Sequence, residues 1–205
     1  MTQKRILATL VAAPLLATLT PAIAQDNPRA KAQALIKSDF KSRGQASVER
    51  VYEDTLQAVC NRTENTPSAE NSKRLEAEQR AHVQFPADGT LMGDWQKGER
   101  LAQSGRGFTW SDKPTDAVGG NCYNCHQIGP KETAYGTVGP SLYQYGKLRG
   151  TSAEIQKYTY SKIYNAKAFN ACSEMPRFGH VQALKPEQIK DLVALLLDPA
   201  SPVNQ

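Results

Sequence analysis

The sequence predicts an all-α fold. Three observations carry that reading. Apolar residues recur at three- and four-residue spacing in several separate stretches, recognisable caps open or close them, and no run of useful length alternates like a strand. With 205 residues, 40% hydrophobic and 22% charged, the chain suits one domain with some additional segments and is too short for two full-sized domains. With 14 glycines in 205 residues and a formal charge of +5, the composition is not collagen-like, not coiled-coil-like and not charge-dominated enough to be wholly disordered.

The first element is a leader over residues 1–24. Lys4 and Arg5 precede an apolar run from Ile6 to Leu19, broken by small residues and Pro14, which ends at Ala22-Ile23-Ala24. That order is a cleavable secretory signal, too short and too weakly apolar to be kept as a membrane anchor. The expected product is an exported, periplasmic protein with no membrane span. Cleavage removes two basic residues and no acidic one, lowering the charge from +5 to +3. The remaining charges are interleaved, without a basic block or aromatic–basic alternation, so the sequence gives no support for nucleic-acid binding and no nucleic-acid partner is expected.

Residues 25–84 form a helical, polar extension. Ala34-Leu35-Ile36 marks a first helix. Val48, Val51, Tyr52, Leu56 and Val59 give a second apolar stripe, with Ser38 and Gly44 dividing the two. From Asn61 to Gln79 the chain is nearly all polar apart from Leu75, which reads as a loop or an exposed helix. So little apolar surface cannot be buried alone, so the extension must lie on something. A connector from Arg80 to Thr90, with Pro86 and Gly89, leads into the domain spanning 85–205.

That domain is denser in Gly, Pro and aromatic residues. Asp94 is the N-cap of a short helix on which Trp95 and Ala102 share a face, ended by Ser104-Gly105. Thr151-x-x-Glu154 is a capping box opening a helix with Ile155, Tyr158 and Ile163 inward. Pro186 starts the last helix, which carries Ile189, Leu192, Val193 and Leu196 on one face and stops at Asp198-Pro199.

Soft-metal and redox side chains are few: four cysteines, three histidines and three methionines. Cys122-Tyr-Asn-Cys125-His126 is a Cys-x-x-Cys-His motif. A thioredoxin-type dithiol needs a βαβ setting that an all-α pattern lacks, and a zinc site needs a second ligand pair that the sequence does not supply. The remaining chemistry is covalent haem attachment, in which Cys122 and Cys125 add to the vinyl groups and His126 is the proximal iron ligand. For the other axial position the candidates are Met92, Met175, His82 and His180. Met175 is preferred because Pro176 biases it into an extended loop at a suitable distance beyond the capped helix; His180 is the competitor. Met92 reads as packing and His82 as solvated.

The carbonyl of Pro140, in Gly139-Pro140-Ser141-Leu142, is the expected acceptor for the second imidazole nitrogen of His126. Gly136, Gly139 and Gly146 would let backbone approach the haem, and Arg149, Arg177, Tyr143, Tyr145 and Tyr164 are candidate haem-edge or propionate contacts. Cys60 and Cys172 are left over, even in number and exported, so a disulfide between them is expected. It would pin the extension three residues from Met175.

The ordered set Gly120-Asn-Cys-Tyr-Asn-Cys-His126, Gly136-Thr-Val-Gly-Pro-Ser-Leu142, Tyr145-Gly-Lys147, Met175-Pro-Arg-Phe-Gly179 and Leu196-Leu-Asp-Pro199 resembles the SoxX subunit of SoxXA cytochromes. Leu91-Met-Gly-Asp-Trp95 and Ala102-Gln-Ser-Gly-Arg-Gly107 fit as well. The likeness runs from about Phe85 to the C-terminus. It implies a class I cytochrome c fold, one covalently bound haem c, and His126 and Met175 as axial ligands. It also implies a periplasmic heterodimer with a dihaem or monohaem SoxA subunit, an L-cysteine S-thiosulfotransferase that conjugates thiosulfate to a cysteine of the SoxYZ carrier. This chain would be its non-catalytic, electron-accepting subunit, passing electrons to a small soluble cytochrome c. The alternatives are a free-standing class I cytochrome c serving another redox enzyme, and a haem-based sensor whose Met175 can be displaced.

Overall fold

The computed structural model describes residues 27–205, so the leader expected over 1–24 lies outside the described residues. Among the described residues there are seven α-helices, four short 3₁₀ turns and no strand, as the apolar periodicity predicts. The chain divides into two compact units, meeting between Ser38 and Asp39. The first contains nearly all of helix α1 (Pro28–Asp39), which carries the Ala34-Leu35-Ile36 stretch, has no buried residue and leaves Leu35 58% exposed.

The second unit runs from Asp39 to Gln205, so residues 39–84 fold together with the domain that follows them. Its frame is α4 (Trp95–Gln103) crossing α7 (Pro186–Leu197). Asp94 caps α4 by accepting from the N–H groups of Gln96 and Lys97, and its own N–H donates to Asp191 at 2.8 Å. A side chain at Gly98 would run into the backbone carbonyl of Asp191, so glycine is what lets the two helices touch. Pro186 starts α7, and Ile189, Leu192, Val193 and Leu196 are all buried, as their spacing predicts. Leu195 and Leu197 are buried too, because the C-terminal turn around Val203 and Asn204 folds back over the helix.

Two further helices complete the core. Short α5 (Tyr145–Arg149) follows Gln144, which has φ +55°. Helix α6 (Ala153–Tyr164) starts one residue later than the sequence suggests: Ser152, not Thr151, caps it by accepting from the Ile155 N–H. Its most buried side chain is Tyr160, fully enclosed, with its hydroxyl donating to the Gln84 carbonyl at 3.0 Å.

The amino-terminal part of this unit departs most from the expected pattern. The stripe from Val48 to Val59 is not one helix. Val48–Val51 is a 3₁₀ turn, Val51 and Tyr52 are about 40% exposed, and α2 (Thr55–Arg62) begins anew at Asp54. Asp54 and Gln57 form a reciprocal capping box there, and a helix start in mid-stripe breaks the periodicity. Polar residues 69–81 form helix α3 (Ala69–Ala81), anchored by Leu75 at 1% and Gln79 at 7% exposure. Leu56, Cys60 and Leu75 make a small second core with Ala171 and Cys172.

Candidate functional site

Helix α4 and the loop after it aim the cysteine motif. Gly120 donates its N–H to the Leu101 carbonyl at 2.8 Å and Asn121 to the Ser104 carbonyl at 2.9 Å. Asn121 then takes φ +49° and turns the chain into a single 3₁₀ turn, Cys122–Asn124. The N–H groups of Cys125 and His126 both donate to the Cys122 carbonyl, at 3.1 and 2.9 Å. Local backbone bonds thus gather two thiols and an imidazole on one turn. Between the cysteines, buried Tyr123 donates to the Glu99 carboxylate (3.1 Å to the nearer oxygen) and accepts the Gly129 N–H at 3.1 Å. Burial and the Glu99 charge push its ionisation well above the usual tyrosine range.

Cys122 and Cys125 are free thiols, and burial pushes that of Cys122 up to about 12. A redox-active dithiol needs the opposite, a stabilised thiolate. Among the described residues no group of three His, Cys, Asp or Glu side chains is placed to hold a metal ion by itself.

His126 is fixed from the other side by residues 136–142. Its Nδ1 lies 2.7 Å from the Pro140 carbonyl, the contact expected from the sequence. A carbonyl only accepts, so Nδ1 carries the proton and Nε2 is left with a free lone pair. The Gly136 N–H donates to the Tyr123 carbonyl and the Gly139 N–H to the Cys125 carbonyl, both at 2.8 Å. At Gly139 a Cβ would run into the imidazole ring itself, so the backbone packs flat against the histidine.

Met175 sits half-buried in the loop after α6 and borders the same core cluster as Cys122. Cys60 and Cys172 are joined, with Cα atoms 5.6 Å apart and a sequence separation of 112 residues. On the other side of Met175, the Arg177 guanidinium is 8% exposed, 2.6 Å from a carboxylate oxygen of Asp54 and 3.4 Å from the Gln79 Oε1. Farther on, the N–H groups of Gly179 and His180 both donate to the Tyr164 carbonyl, at 3.0 and 3.2 Å.

The other sequence candidates have different occupations. Met92 is partly buried against the core, and exposed His82 lies at the end of α3 with its ring 5.9 Å from that of His180. The Tyr145 hydroxyl pairs with Thr159 at 3.1 Å, Arg149 lies over the Tyr145 ring, and Tyr164 is packed beneath Gly179. Sequence reasoning missed Asp54 and Gln79. The Asp54-x-x-Gln57 spacing signals a helix cap, but nothing local signals an ion partner 123 residues away.

The cytochrome c family profile matches residues 96–198. The chain belongs to the cytochrome c family. An uncharacterized lipoprotein of Aquifex aeolicus (strain VF5) is 39% identical over 155 residues, covering 75% of this chain and 73% of that protein. Family membership implies a covalently bound haem c and makes this cytochrome an electron-transfer protein. The donor set agrees: two free thiols on one turn, an imidazole with its tautomer fixed, and a thioether on a constrained loop.

Proposed function

We propose that this cytochrome is the electron-accepting subunit of a SoxXA-type complex, with residues 85–205 as its cytochrome domain and 25–84 as an extension. Cys122 and Cys125 would hold the haem through two thioether bonds, and His126 Nε2 and the Met175 sulfur would be its axial ligands. Haem c, when bound, supplies a one-electron iron couple, and histidine–methionine ligation favours the reduced state relative to two histidines. With His126 and Met175 both holding the iron, the chain would offer substrate no coordination site of its own. Sulfur–sulfur bond formation on the SoxYZ carrier would then belong to the SoxA partner, and the electrons would leave through a small soluble cytochrome c.

The observation that carries the electron-transfer part is the Pro140 carbonyl on His126 Nδ1, which leaves the other nitrogen with a lone pair that could bind iron. The ordered motifs shared with SoxX support the assembly. Export to the periplasm rests on the leader over 1–24. No described helix is long and apolar enough to cross a membrane.

Two measurements test this reading. Ferric protein is expected to show the weak near-infrared sulfur–iron band, lost in Met175→Ala; a wild type without the band would move His180 ahead as ligand. Native purification is expected to bring down a haem-bearing partner. Recovery only as a monomer would favour the free-standing carrier.

A further inference from the structure

Arg177 is a buried cation two residues from Met175, and its counter-charge comes from far away in the chain. Its guanidinium donates to Asp54 at 2.6 Å and to Gln79 Oε1 at 3.4 Å, and Gln79 Oε1 also accepts from the Asn165 side-chain amide at 2.9 Å. Both partners are built features. Asp54 is already oriented as the cap of α2, and Gln79 is 7% exposed on α3. The two helices are in turn fastened to this loop by the Cys60–Cys172 bond and by Arg80, which donates to the Ala168 carbonyl at 2.6 Å.

The guanidinium is also felt on both sides of Met175. Burial, then the Arg177 charge, lowers the proton affinity of Lys167 on one flank, and the same two causes in the same order lower that of His180 on the other. A charge at 8% exposure is weakly screened by solvent, so its field reaches neighbours that a surface arginine would not affect.

We propose that Arg177 sets the electron affinity of the iron, and that Asp54 and Gln79 of the amino-terminal segment are positioning residues that hold and partly neutralise its guanidinium. Residues 54–79 are then a device for tuning the redox potential. This rests on Met175 being an iron ligand. A fixed positive charge beside the site disfavours the oxidised, more positive iron, and a negative charge favours it. Removing Arg177 should therefore lower the midpoint potential and removing the Asp54 charge should raise it. Asp54, 40% exposed, should act more weakly than Arg177.

The test is a spectroelectrochemical titration of the haem-loaded full chain, with the near-infrared sulfur–iron band read on the same samples. Arg177→Gln is expected to lower the potential by on the order of tenfold in the one-electron equilibrium, about 59 mV. Asp54→Asn, which keeps a good helix cap, is expected to raise it by a smaller amount. Arg177→Lys should lie closer to wild type than Arg177→Gln, and Asp54→Glu closer than Asp54→Asn. Should Arg177→Gln fail to fold, the two Asp54 variants carry the same sign test. Variants that lose stability but keep the wild-type potential, or that shift it in one common direction, overturn the inference while leaving Met175 as ligand. A wild type that lacks the near-infrared band overturns both.

Discussion

The turn bearing His126 and the loop bearing Met175 are held in opposite ways. The histidine side is braced from close by in the chain: Pro140, fourteen residues on, takes the imidazole proton and Gly139 packs against the ring. The methionine side is braced from afar, by Cys60, Asp54 and Gln79. A local brace forms with little loss of chain entropy, whereas a distant one demands that a long loop be closed first. The histidine turn should therefore be the robust half and the methionine loop the adjustable one.

The largest expected effect breaks the robust half. Gly139→Val drives a side chain into the imidazole and should cut the yield of covalently haem-loaded protein by about tenfold or more, read by haem staining against total protein. Next, Cys60→Ala with Cys172→Ala should lower stability by about 4–5 kcal/mol in the loop-entropy account. Denaturant melts followed at the near-infrared band should show the methionine ligand lost first.

Leu75→Ala, at a site 1% exposed, should destabilise by about 2–5 kcal/mol and loosen the amino-terminal helices, without affecting how His126 is held. Hydrogen exchange along residues 54–81 would read that selectivity.

The smallest expected effect is a two-stage response to acid. Burial, aided by the Arg177 and His82 charges against that of Asp54, holds His180 below its ordinary 6.5. Burial raises Asp54, but the Gln57 N–H, the Arg177 hydrogen bond and the charges of Arg177 and His180 outweigh it, leaving Asp54 below its ordinary 3.8. For both groups the unfolded chain binds protons more readily than the folded one, so stability is lost as pH falls. The His180 contribution fades below its ordinary value and the Asp54 contribution below its own. Thermal melts across this range should show both stages, and His180→Gln should erase the upper one.

This contrast also decides what the sequence could disclose. Cys122, Cys125, His126 and the Pro140 acceptor fall within twenty residues, where backbone geometry ties spacing to position. Helix α7 was readable because its apolar period and its Pro186 start agree. The Cys60–Cys172 pairing was readable too, by counting rather than by geometry. The Asp54–Arg177 pair was not, because residues 123 apart carry no local pattern and each has a local reading, as a cap or as a haem contact. The stripe from Val48 to Val59 misled for a related reason: a cap inside it outweighed its period, leaving Val51 and Tyr52 half in solvent.

The disulfide also settles how the molecule answers to mechanical load. A pull on the two ends of the chain travels along the backbone only as far as Cys60, then crosses to Cys172 and on toward the C-terminus. Residues 61–171, with both haem-motif cysteines and His126, lie off that line of tension. The strain arrives instead three residues from Met175, so traction would reach that loop while the turn bearing His126 stayed at rest.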